Sequence, residues 1–489
     1  MSEAQLAAAG EGSEPAQLPK KMRWFDGFAM SMTMPAALIA TLGASITGLG
    51  GWGAAALWAI SMILAMGVNW IYTELATMFP ESSGGISSYA AEAWKKRAPW
   101  VAPVAGIGYW LPWGTNLATY GAVTGALVQA QWFPEQSWEI ALGPIKLNLP
   151  IVIGLIVIVA LYLVNVIGVR VTMAFVYVTA AILMIPLFVF IVLPLFSADW
   201  APLDLTWKLH GWEGLRTALI WMYIMAWTTL GIEVCATFAP EYRDSVKDTA
   251  RAIKAAVLFC MGVFFLIPIT LGGYAGEAAI EADPAAFFVQ SFGTLLGGGA
   301  ADVMTLCLIA SLLLIMTTSV ADASRVLFNM GREGITVRSV GKLNRRGIPM
   351  RALNVMLVMN ILVLVVLQSP LAIIVTGNLG YILTHIFAVS GFFLLRKDRP
   401  NAKRPITLPR FFVPLSIVLT VFLVIILVVG ATGFQVTGYG GIKELGIAIG
   451  VLLLGVIIWR FTRRKPSEEG IADLSSIPAR SDAEPTQTR

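Results

Sequence analysis

The chain has 489 residues, of which 57% are hydrophobic and only 13% are charged. Soluble domains carry about 25% charged residues, and the apolar residues here form long uninterrupted runs, so a set of soluble domains is excluded. The formal net charge of +5 is spread over loops rather than gathered in one patch, which argues against a nucleic-acid partner. Three cysteines without paired spacing and two histidines offer no disulfide framework, metal cluster or catalytic triad. We therefore expect no enzyme activity, no metal and no cofactor.

Twelve apolar runs are long enough to cross a bilayer, whose core of roughly 30 Å requires about 20 helical residues. They lie near 26–49, 52–77, 101–129, 149–167, 172–195, 214–239, 252–274, 299–329, 352–368, 370–394, 411–432 and 443–462. The sequence predicts an all-α integral membrane protein with about twelve transmembrane helices in one domain, 24–465. A short tail, 1–23, precedes this domain, and the Ser-, Glu- and Pro-rich tail 466–489 is expected to be disordered.

Lysine and arginine are distributed unequally between the two sides of these spans. The loops on the side of the termini and the two tails hold 30 of the 34 basic residues, and the other side holds Lys146, Lys208, Arg216 and Lys443. Cytoplasmic loops of membrane proteins carry such an excess of basic residues. We therefore expect both termini to be cytoplasmic and the protein to lie in the cytoplasmic membrane.

Two predicted spans are interrupted by residues that disturb helices. Span one carries Pro35, and span six carries Gly231 beside two threonines and a glutamate. Broken helices in matching positions of two halves are typical of transporters built from inverted repeats. The repeats would be about 24–197 and 212–396, with accessory helices at about 410–463. Alternatively, Pro and Gly are simply frequent in membrane helices.

Ionisable residues inside predicted spans are few. Glu233 lies just after Gly231, and a carboxylate inside a membrane commonly relays protons or pairs with a cation. It could instead be structural and accept hydrogen bonds from backbone freed by the break. Asp322 and Arg325 lie three residues apart on span eight, which predicts a local ion pair. His385, alone in span ten, is expected to bond to a neighbouring helix.

Further polar and aromatic residues in the spans allow two interpretations each. Asn116 in span three could contact a polar ligand or join two helices. Trp227 could cover a substrate or simply pack among other side chains. The hydroxyl run Thr317, Thr318 and Ser319 suits a sodium ion, but such hydroxyls also bond to the carbonyl one turn earlier.

Three stretches carry a family resemblance over most of 24–465. They are "YTELATMFPESSGGISSYAAEAW", "SRVLFNMGREGITVRSVGKLNRRGIPMRAL" and "LRKDRPNAKRPITLP". With them, the chain resembles permeases of the amino acid–polyamine–organocation (APC) superfamily. The resemblance implies a leucine-transporter-type 5+5 inverted repeat plus two C-terminal helices, with substrate held between the broken spans one and six.

The resemblance also implies roles for particular residues. "WTTLGIE" is similar to the family's span-six motif, which makes Trp227 an occluding aromatic and Glu233 the coupled carboxylate. Substrate contacts are expected at Thr33, Met34, Pro35, Ala36, Ala37, Asn116, Trp227, Thr228, Thr229 and Gly231.

Two departures from the family pattern limit this transfer of roles. Pro35–Leu38 replaces the usual glycine–serine–glycine segment, and Pro35 has no N–H to donate to a substrate carboxylate. Leu183 stands where some proton-coupled members have lysine.

The sequence thus predicts a secondary active transporter for an amino acid or related amine, working by alternating access. Proton coupling is expected through Glu233, with sodium coupling at Thr317–Ser319, obligatory exchange, or a non-transporting sensor of the same fold as alternatives. No basic residue is evident at the expected site, so neutral or cationic substrates are favoured. Partners are the small-molecule substrate and the lipid bilayer, and the protein would be a monomer or homodimer.

Overall fold

The computed structural model of the protein describes residues 18, 20–142, 145–284, 287–297, 299–367, 370–433 and 442–462. The predicted tail 466–489 and nearly all of the N-terminal tail before Lys20 lie outside these residues. The described part is mostly helical, as the apolar runs predicted.

The helices follow one another with short connections. They are α1 (Trp24–Ser31), α2 (Thr33–Leu49), α3 (Gly51–Met78), α4 (Gly85–Trp94), α5 (Val101–Trp132), α6 (Leu149–Ile167), α7 (Val169–Val192), α8 (Gly211–Leu230), α9 (Lys247–Ala275), α10 (Glu277–Ala282), α11 (Phe287–Leu296), α12 (Ala300–Arg332), α13 (Met350–Leu367), α14 (Pro370–Asp398), α15 (Phe412–Gly433) and α16 (Ile442–Thr462). Short 3₁₀ helices cover Leu193–Phe196, Pro202–Asp204 and Arg338–Gly341, and a longer 3₁₀ segment, Gly231–Glu241, follows α8.

Within the described ranges, nine helices are long and apolar enough to cross a membrane, and the bent pair α1–α2 makes a tenth. The nine are α3, α6, α7, α8 with its 3₁₀ continuation, α9, α12, α14, α15 and α16. Two of the twelve predicted spans fall short by this measure. The apolar part of α13 is short, at Met350–Val366, and the many glycines, aromatic residues and polar side chains of α5 lower its mean hydropathy.

Glycines with positive φ make two of the tight turns between spans. Gly50, with φ of 76°, separates α2 from α3, and Gly168, with φ of 128°, separates α6 from α7. Such dihedrals suit a residue without a Cβ atom. Asn148 caps α6 by accepting a hydrogen bond of 3.1 Å from the N–H of Ile151.

Helix α5 packs against α14, α12 and α6. Its crossing with α14 is close, because a Cβ atom added at Gly108 would lie 2.4 Å from the carbonyl oxygen of Gly380. Thr384 of α14 donates a hydrogen bond of 3.1 Å to the carbonyl of Ala105. Small residues and side-chain-to-backbone bonds of this kind hold membrane helices together without a hydrophobic driving force.

The loops contain structure that the apolar runs did not predict. Strands β1 (Glu139–Leu142) and β2 (Ile145–Asn148) form an antiparallel hairpin in which Glu139 pairs with Asn148. The short helices α4, α10 and α11 also lie between spans. Hydropathy finds membrane crossings but carries no signal for short elements outside the bilayer.

Carboxylates fasten the two ends of the bundle. At the end rich in arginine, the side chain of Glu74 is 1% exposed and forms ion pairs with Arg396 at 2.6 Å and Arg404 at 3.3 Å. At the opposite end, Glu277 accepts hydrogen bonds from the N–H groups of Gly51 and Thr206 at 2.7 and 2.6 Å. These contacts connect loops that are distant in the sequence.

Candidate functional site

The first predicted span is broken near its middle. Helix α1 ends at Ser31 and α2 begins at Thr33, after the single turn residue Met32. A bend of 45° lies farther along the span, within α2, between Trp24–Leu38 and Thr41–Leu49. The sequence placed the interruption at Pro35, but Pro35 is the third residue of α2. A missing N–H is tolerated there because the first turn of a helix has no intrahelical acceptor for it.

The sixth predicted span changes from α-helix to 3₁₀-helix at Gly231, where the sequence predicted its interruption. The 3₁₀ segment Gly231–Glu241 has 11 residues, whereas 3₁₀ runs longer than three or four residues are uncommon and often mark a functional hinge. Just before it, the hydroxyl of Thr229 bonds to the carbonyl of Met225 at 3.1 Å.

The breaks in these two spans touch each other. The hydroxyl of Ser31 donates to the carbonyl of Ile232 at 3.3 Å and to that of Gly27 at 3.1 Å. Gly231 lies directly against Met34, since a Cβ atom added at Gly231 would lie 2.4 Å from the sulfur of Met34. In this arrangement a Cβ atom at Gly231 would fit only if the thioether of Met34 moved. The predicted contact residues of span one are all buried here, at Thr33, Met34, Pro35, Ala36 and Ala37.

Glu233 is buried within the 3₁₀ segment and is 1% exposed. Its Oε1 accepts a hydrogen bond of 2.6 Å from the hydroxyl of Tyr381 on α14. Its Oε2 has no hydrogen-bond partner in the described part of the chain. A buried carboxylate oxygen without a partner is unusual in a folded protein, where most such groups are hydrogen-bonded.

Aromatic rings surround Trp227, in the last turn of α8. Its ring centroid lies 4.9 Å from that of Tyr381, in a T-shaped contact, and 5.1 Å from that of Trp113. Trp227 is 5% exposed. The structure thus places Trp227 next to the partner of Glu233, an arrangement that serves packing and can also cover a bound ligand.

Asn116 connects two groups of residues that the sequence treated separately. Its side-chain amide donates a hydrogen bond of 2.8 Å to the hydroxyl of Ser319 on α12. In the hydroxyl run, Thr317 bonds to the carbonyl of Leu313 at 2.7 Å, one turn earlier. The hydroxyl of Thr318 has no partner among the described residues. Of the three hydroxyls, that of Thr318 is therefore free to contact a ligand.

Buried polar side-chain atoms without a partner occur in the broken spans and in α12, and also in other parts of the bundle. Within the described residues they include the hydroxyls of Thr33, Thr228 and Thr318, the indole N–H of Trp227, and one carboxylate oxygen each of Glu233 and Asp322. Helix α12 packs against both α2 and the 3₁₀ segment. Because each unpaired buried polar group costs about 1–3 kcal/mol, these six atoms are candidates for contact with a polar ligand.

The ion pair predicted within α12 does not form. Arg325 instead binds both carboxylate oxygens of Glu241, at the end of the 3₁₀ segment, with Nη2 at 3.0 Å from Oε2. Asp322 accepts a hydrogen bond of 3.4 Å from the hydroxyl of Tyr109 on α5. Asp322 and Arg325 are neighbours on α12, but the carboxylate of Glu241 accepts two parallel hydrogen bonds from the guanidinium of Arg325. Such bidentate pairs are the stronger ones.

The sequence interpretation did not identify several residues of this region. Tyr381, Tyr109 and Trp113 contact or adjoin the predicted site residues, and Asp322, which the sequence assigned only to an ion pair with Arg325, lies beside Tyr109. Tyr381 lies one helical turn before His385, whose Nδ1 is 2.7 Å from the hydroxyl of Tyr72 on α3, as expected for a histidine that bonds to a neighbouring helix. The sequence could have pointed to Tyr381 through its position, because it lies one helical turn from a lone intramembrane histidine.

Comparison with known proteins agrees with this architecture. A family described as "Amino acid permease" matches residues 22–440. The chain is 27% identical to the Bacillus subtilis amino-acid permease RocE over 58% of this chain and 59% of that protein. It is 22% identical to the B. subtilis gamma-aminobutyric acid permease over 86% of this chain and 88% of that protein.

A third relative is the D-serine/D-alanine/glycine transporter of Escherichia coli K12, which is 27% identical over 62% of this chain and 65% of that protein. The match with the family extends over both broken spans, the 3₁₀ segment with Glu233 and the hydroxyl run of α12. All three relatives bear the names of permeases or transporters rather than of enzymes. The chain therefore belongs to the amino acid permease family, within the APC superfamily.

Proposed function

We propose that this protein is a secondary active transporter that moves an amino acid or related amine across the cytoplasmic membrane, coupled to protons through Glu233. The observation that carries the proposal is the contact between the broken first span and the 3₁₀ segment of the sixth, with Glu233 buried beside it. Discontinuous helices of this kind form the substrate sites of many secondary transporters.

The ends of the half-helices provide the polar groups for a charged substrate. The N-terminus of α2 carries a partial positive charge and the C-terminus of α8 a partial negative charge. An amino acid has both charges on its backbone, so these two ends suit its carboxylate and its ammonium group. Pro35 gives no donor at the third position of α2, so the carboxylate would rely on neighbouring backbone N–H groups and on Thr33.

Glu233 has the properties of a coupling group. No lysine or arginine forms an ion pair with it in the described residues, and an ionised carboxylate buried without compensation is costly. In this closed arrangement Glu233 therefore needs a proton or a bound cation. Release of that proton when the site opens to water would link protonation to the conformational change.

The charges around the site narrow the substrate class. Arg325 is the arginine of α12 that lies closest in sequence to the hydroxyl run Thr317–Ser319. It already forms an ion pair with Glu241. An acidic side chain on the substrate would find no cationic partner among the described site residues, so neutral or cationic amino acids and amines are favoured. The relatives' names mention gamma-aminobutyric acid, D-serine, D-alanine and glycine, which is consistent with small zwitterions.

The wider architecture belongs to the same proposal. α5 and α13 would cross the membrane together with the ten candidate spans, giving twelve crossings with both termini cytoplasmic. Spans one to five and six to ten would form two inverted repeats that rock against each other, with α15 and α16 outside them. The protein would act as a monomer or homodimer.

Uptake into proteoliposomes tests the proposal. We expect a radiolabelled neutral amino acid to accumulate when the lumen is alkaline relative to the outside, and Glu233→Gln to abolish this dependence on the proton gradient. Glu213→Gln is the matched control, because Glu213 lies in the first turn of the same helix with its side chain 80% exposed. It should keep gradient-driven uptake.

Three other results would contradict parts of the proposal. Uptake only into vesicles preloaded with amino acid would indicate an obligatory exchanger, and uptake driven by sodium at constant pH would indicate a sodium-coupled transporter. Binding of amino acids without any uptake would indicate a sensor.

A further inference from the structure

A cavity lies at the arginine-rich end of the bundle, and Glu233 is not among the residues that line it. Its volume is about 190 Å³, well above the roughly 10–15 Å³ needed to hold one water. It is lined by residues from separate segments, including Lys21, Asn165, Arg170, Glu241, Arg325 and Arg346. The transport function proposed above assigns no role to this cavity.

The lining is strongly cationic. Glu241 is its acidic residue, and Arg325 occupies both oxygens of that carboxylate. The side chains of Lys21, Arg170 and Arg346 form no ion pair or side-chain hydrogen bond within the described residues. Three exposed cationic residues from three different segments therefore line one cavity.

This convergence is more than the general excess of basic residues on that side. Arg345 directly precedes Arg346 but does not line the cavity, and Lys20, which directly precedes Lys21, is paired with Glu81 at 3.3 Å. Of the adjacent basic residues Lys20 and Lys21, and of Arg345 and Arg346, only the second of each pair lines the cavity. A pocket between membrane helices that is lined in this way suits the phosphate of a lipid headgroup, and arginine matches phosphate oxygens with two donors at once.

We propose that this cavity binds a phosphate-bearing anion, held by Lys21, Arg170 and Arg346. The phosphate belongs either to the headgroup of an anionic phospholipid or to a free anion in the aqueous phase. Both sources present the same oxygens to the same side chains.

Because of where the three cations lie, a bound anion would regulate the position of the end of the sixth span. Lys21 is attached to the end of the sixth span, because its N–H and that of Met22 both donate to the carbonyl of Glu241 at 2.9 Å. Arg170 lies at the start of α7, and Arg346 lies in the loop before α13. An anion that contacts all three ties the end of the sixth span to these neighbours and favours the arrangement seen here.

Thermal unfolding of the purified protein, followed by tryptophan fluorescence, tests the site. Inorganic phosphate is compared with sodium chloride at equal ionic strength in detergent. Nanodiscs of phosphatidylglycerol are compared with nanodiscs of phosphatidylcholine. Arg346→Gln and Arg170→Gln are measured beside the matched control Arg345→Gln, which removes the same charge from the adjacent position.

We expect phosphate, phosphatidylglycerol or both to raise the unfolding temperature of the wild type and of Arg345→Gln. Each of the other two variants should raise the half-saturating phosphate concentration by about two- to fivefold, the effect of losing one exposed charge contact worth up to about 1 kcal/mol. Stabilisation by phosphate alone identifies a free anion, and stabilisation by phosphatidylglycerol alone identifies a lipid. Absence of both effects, or an equal loss in Arg345→Gln, overturns the proposal without affecting the transport function.

Discussion

Tyr381 donates a hydrogen bond of 2.6 Å to Glu233 from a position 148 residues away in the sequence. The bond joins α14 to the 3₁₀ segment of the sixth span, and the ring of Tyr381 also contacts Trp227. One tyrosine therefore orients the carboxylate and supports the aromatic residue expected to cover the substrate. This makes Tyr381 a positioning residue for both.

Removal of the Tyr381 hydroxyl tests this role. Tyr381→Phe should lower the initial rate of uptake into proteoliposomes by up to about tenfold, because a hydrogen bond between neutral groups contributes about 0.5–1.5 kcal/mol. Tyr72→Phe is the matched control, since its hydroxyl bonds to His385 rather than to Glu233. Equal losses of uptake in the two variants would show that the effect is general loss of buried hydrogen bonding.

The contact between Gly231 and Met34 predicts a steric effect. Gly231→Ala should destabilise the protein by about 1–3 kcal/mol through overpacking and should slow transport, because the thioether of Met34 must move to make room for the added methyl group. Truncation of the opposing side chain in Gly231→Ala/Met34→Ala should recover part of the stability, measured by thermal unfolding. Gly262→Ala is the control, because no atom lies within 4 Å of a Cβ atom added at Gly262. If Gly262→Ala were as harmful, the contact would not be the cause.

The buried pair of Arg325 and Glu241 should contribute strongly to stability. The two side chains are 8% and 1% exposed, and removal of one partner from a buried pair costs about 3–5 kcal/mol because the other charge stays buried. Glu241→Gln should show this loss in denaturant unfolding. Lys247→Gln, which breaks the exposed pair with Asp244, should cost less than about 1 kcal/mol. A small effect of Glu241→Gln would mean that Arg325 reaches water when its partner is lost.

Glu277, in the loop outside the spans, gives a pH dependence of stability. Partial burial raises the pKa of its carboxyl, but hydrogen bonds from the Thr206 side chain and from the N–H groups of Thr206 and Gly51, with the charge of Lys208, lower the pKa below its ordinary value overall. A carboxyl whose pKa is lower in the folded state stabilises the protein above its unfolded pKa, about 4.3 for glutamate. That contribution is lost as the pH falls through the lower folded value.

We therefore expect Glu277→Gln to lower the unfolding temperature at pH 7 and to reduce its decline below about pH 4. Thermal unfolding measured across this range gives the comparison. Glu135→Gln, at an exposed loop position, should leave both the unfolding temperature and its pH dependence unchanged. A decline in Glu277→Gln identical to that of the wild type would assign the acid sensitivity to other carboxylates.

Much of this architecture could be predicted from local sequence. Long apolar runs predicted the helices, because a helix in lipid must satisfy its own backbone hydrogen bonds and present apolar side chains. Gly231 and Pro35 predicted that spans six and one are interrupted, and the loop motifs predicted the family. The motif around Glu74 served in the sequence only as a family signature. In the structure, Glu74 forms ion pairs with Arg396 and Arg404.

The pairing of polar side chains could not be predicted in the same way. The sequence placed Arg325 with Asp322, three residues away, but Arg325 binds Glu241, which is 84 residues away. It treated Asn116 and Ser319 as parts of different sites, and they are hydrogen-bonded. Hydropathy and helical spacing are local properties, whereas the partner of a buried polar group is the nearest group with suitable geometry on any packed helix.

The sequence by itself thus determined that the chain crosses a membrane many times, that two of its spans are interrupted and which family it belongs to. Only the tertiary structure decided that those breaks touch, that Tyr381 is the partner of Glu233, and that Lys21, Arg170 and Arg346 line one cavity. The physical reason is that burial in lipid acts on each segment alone. Hydrogen bonds and ion pairs inside the bundle depend instead on which helices pack together and at what depth.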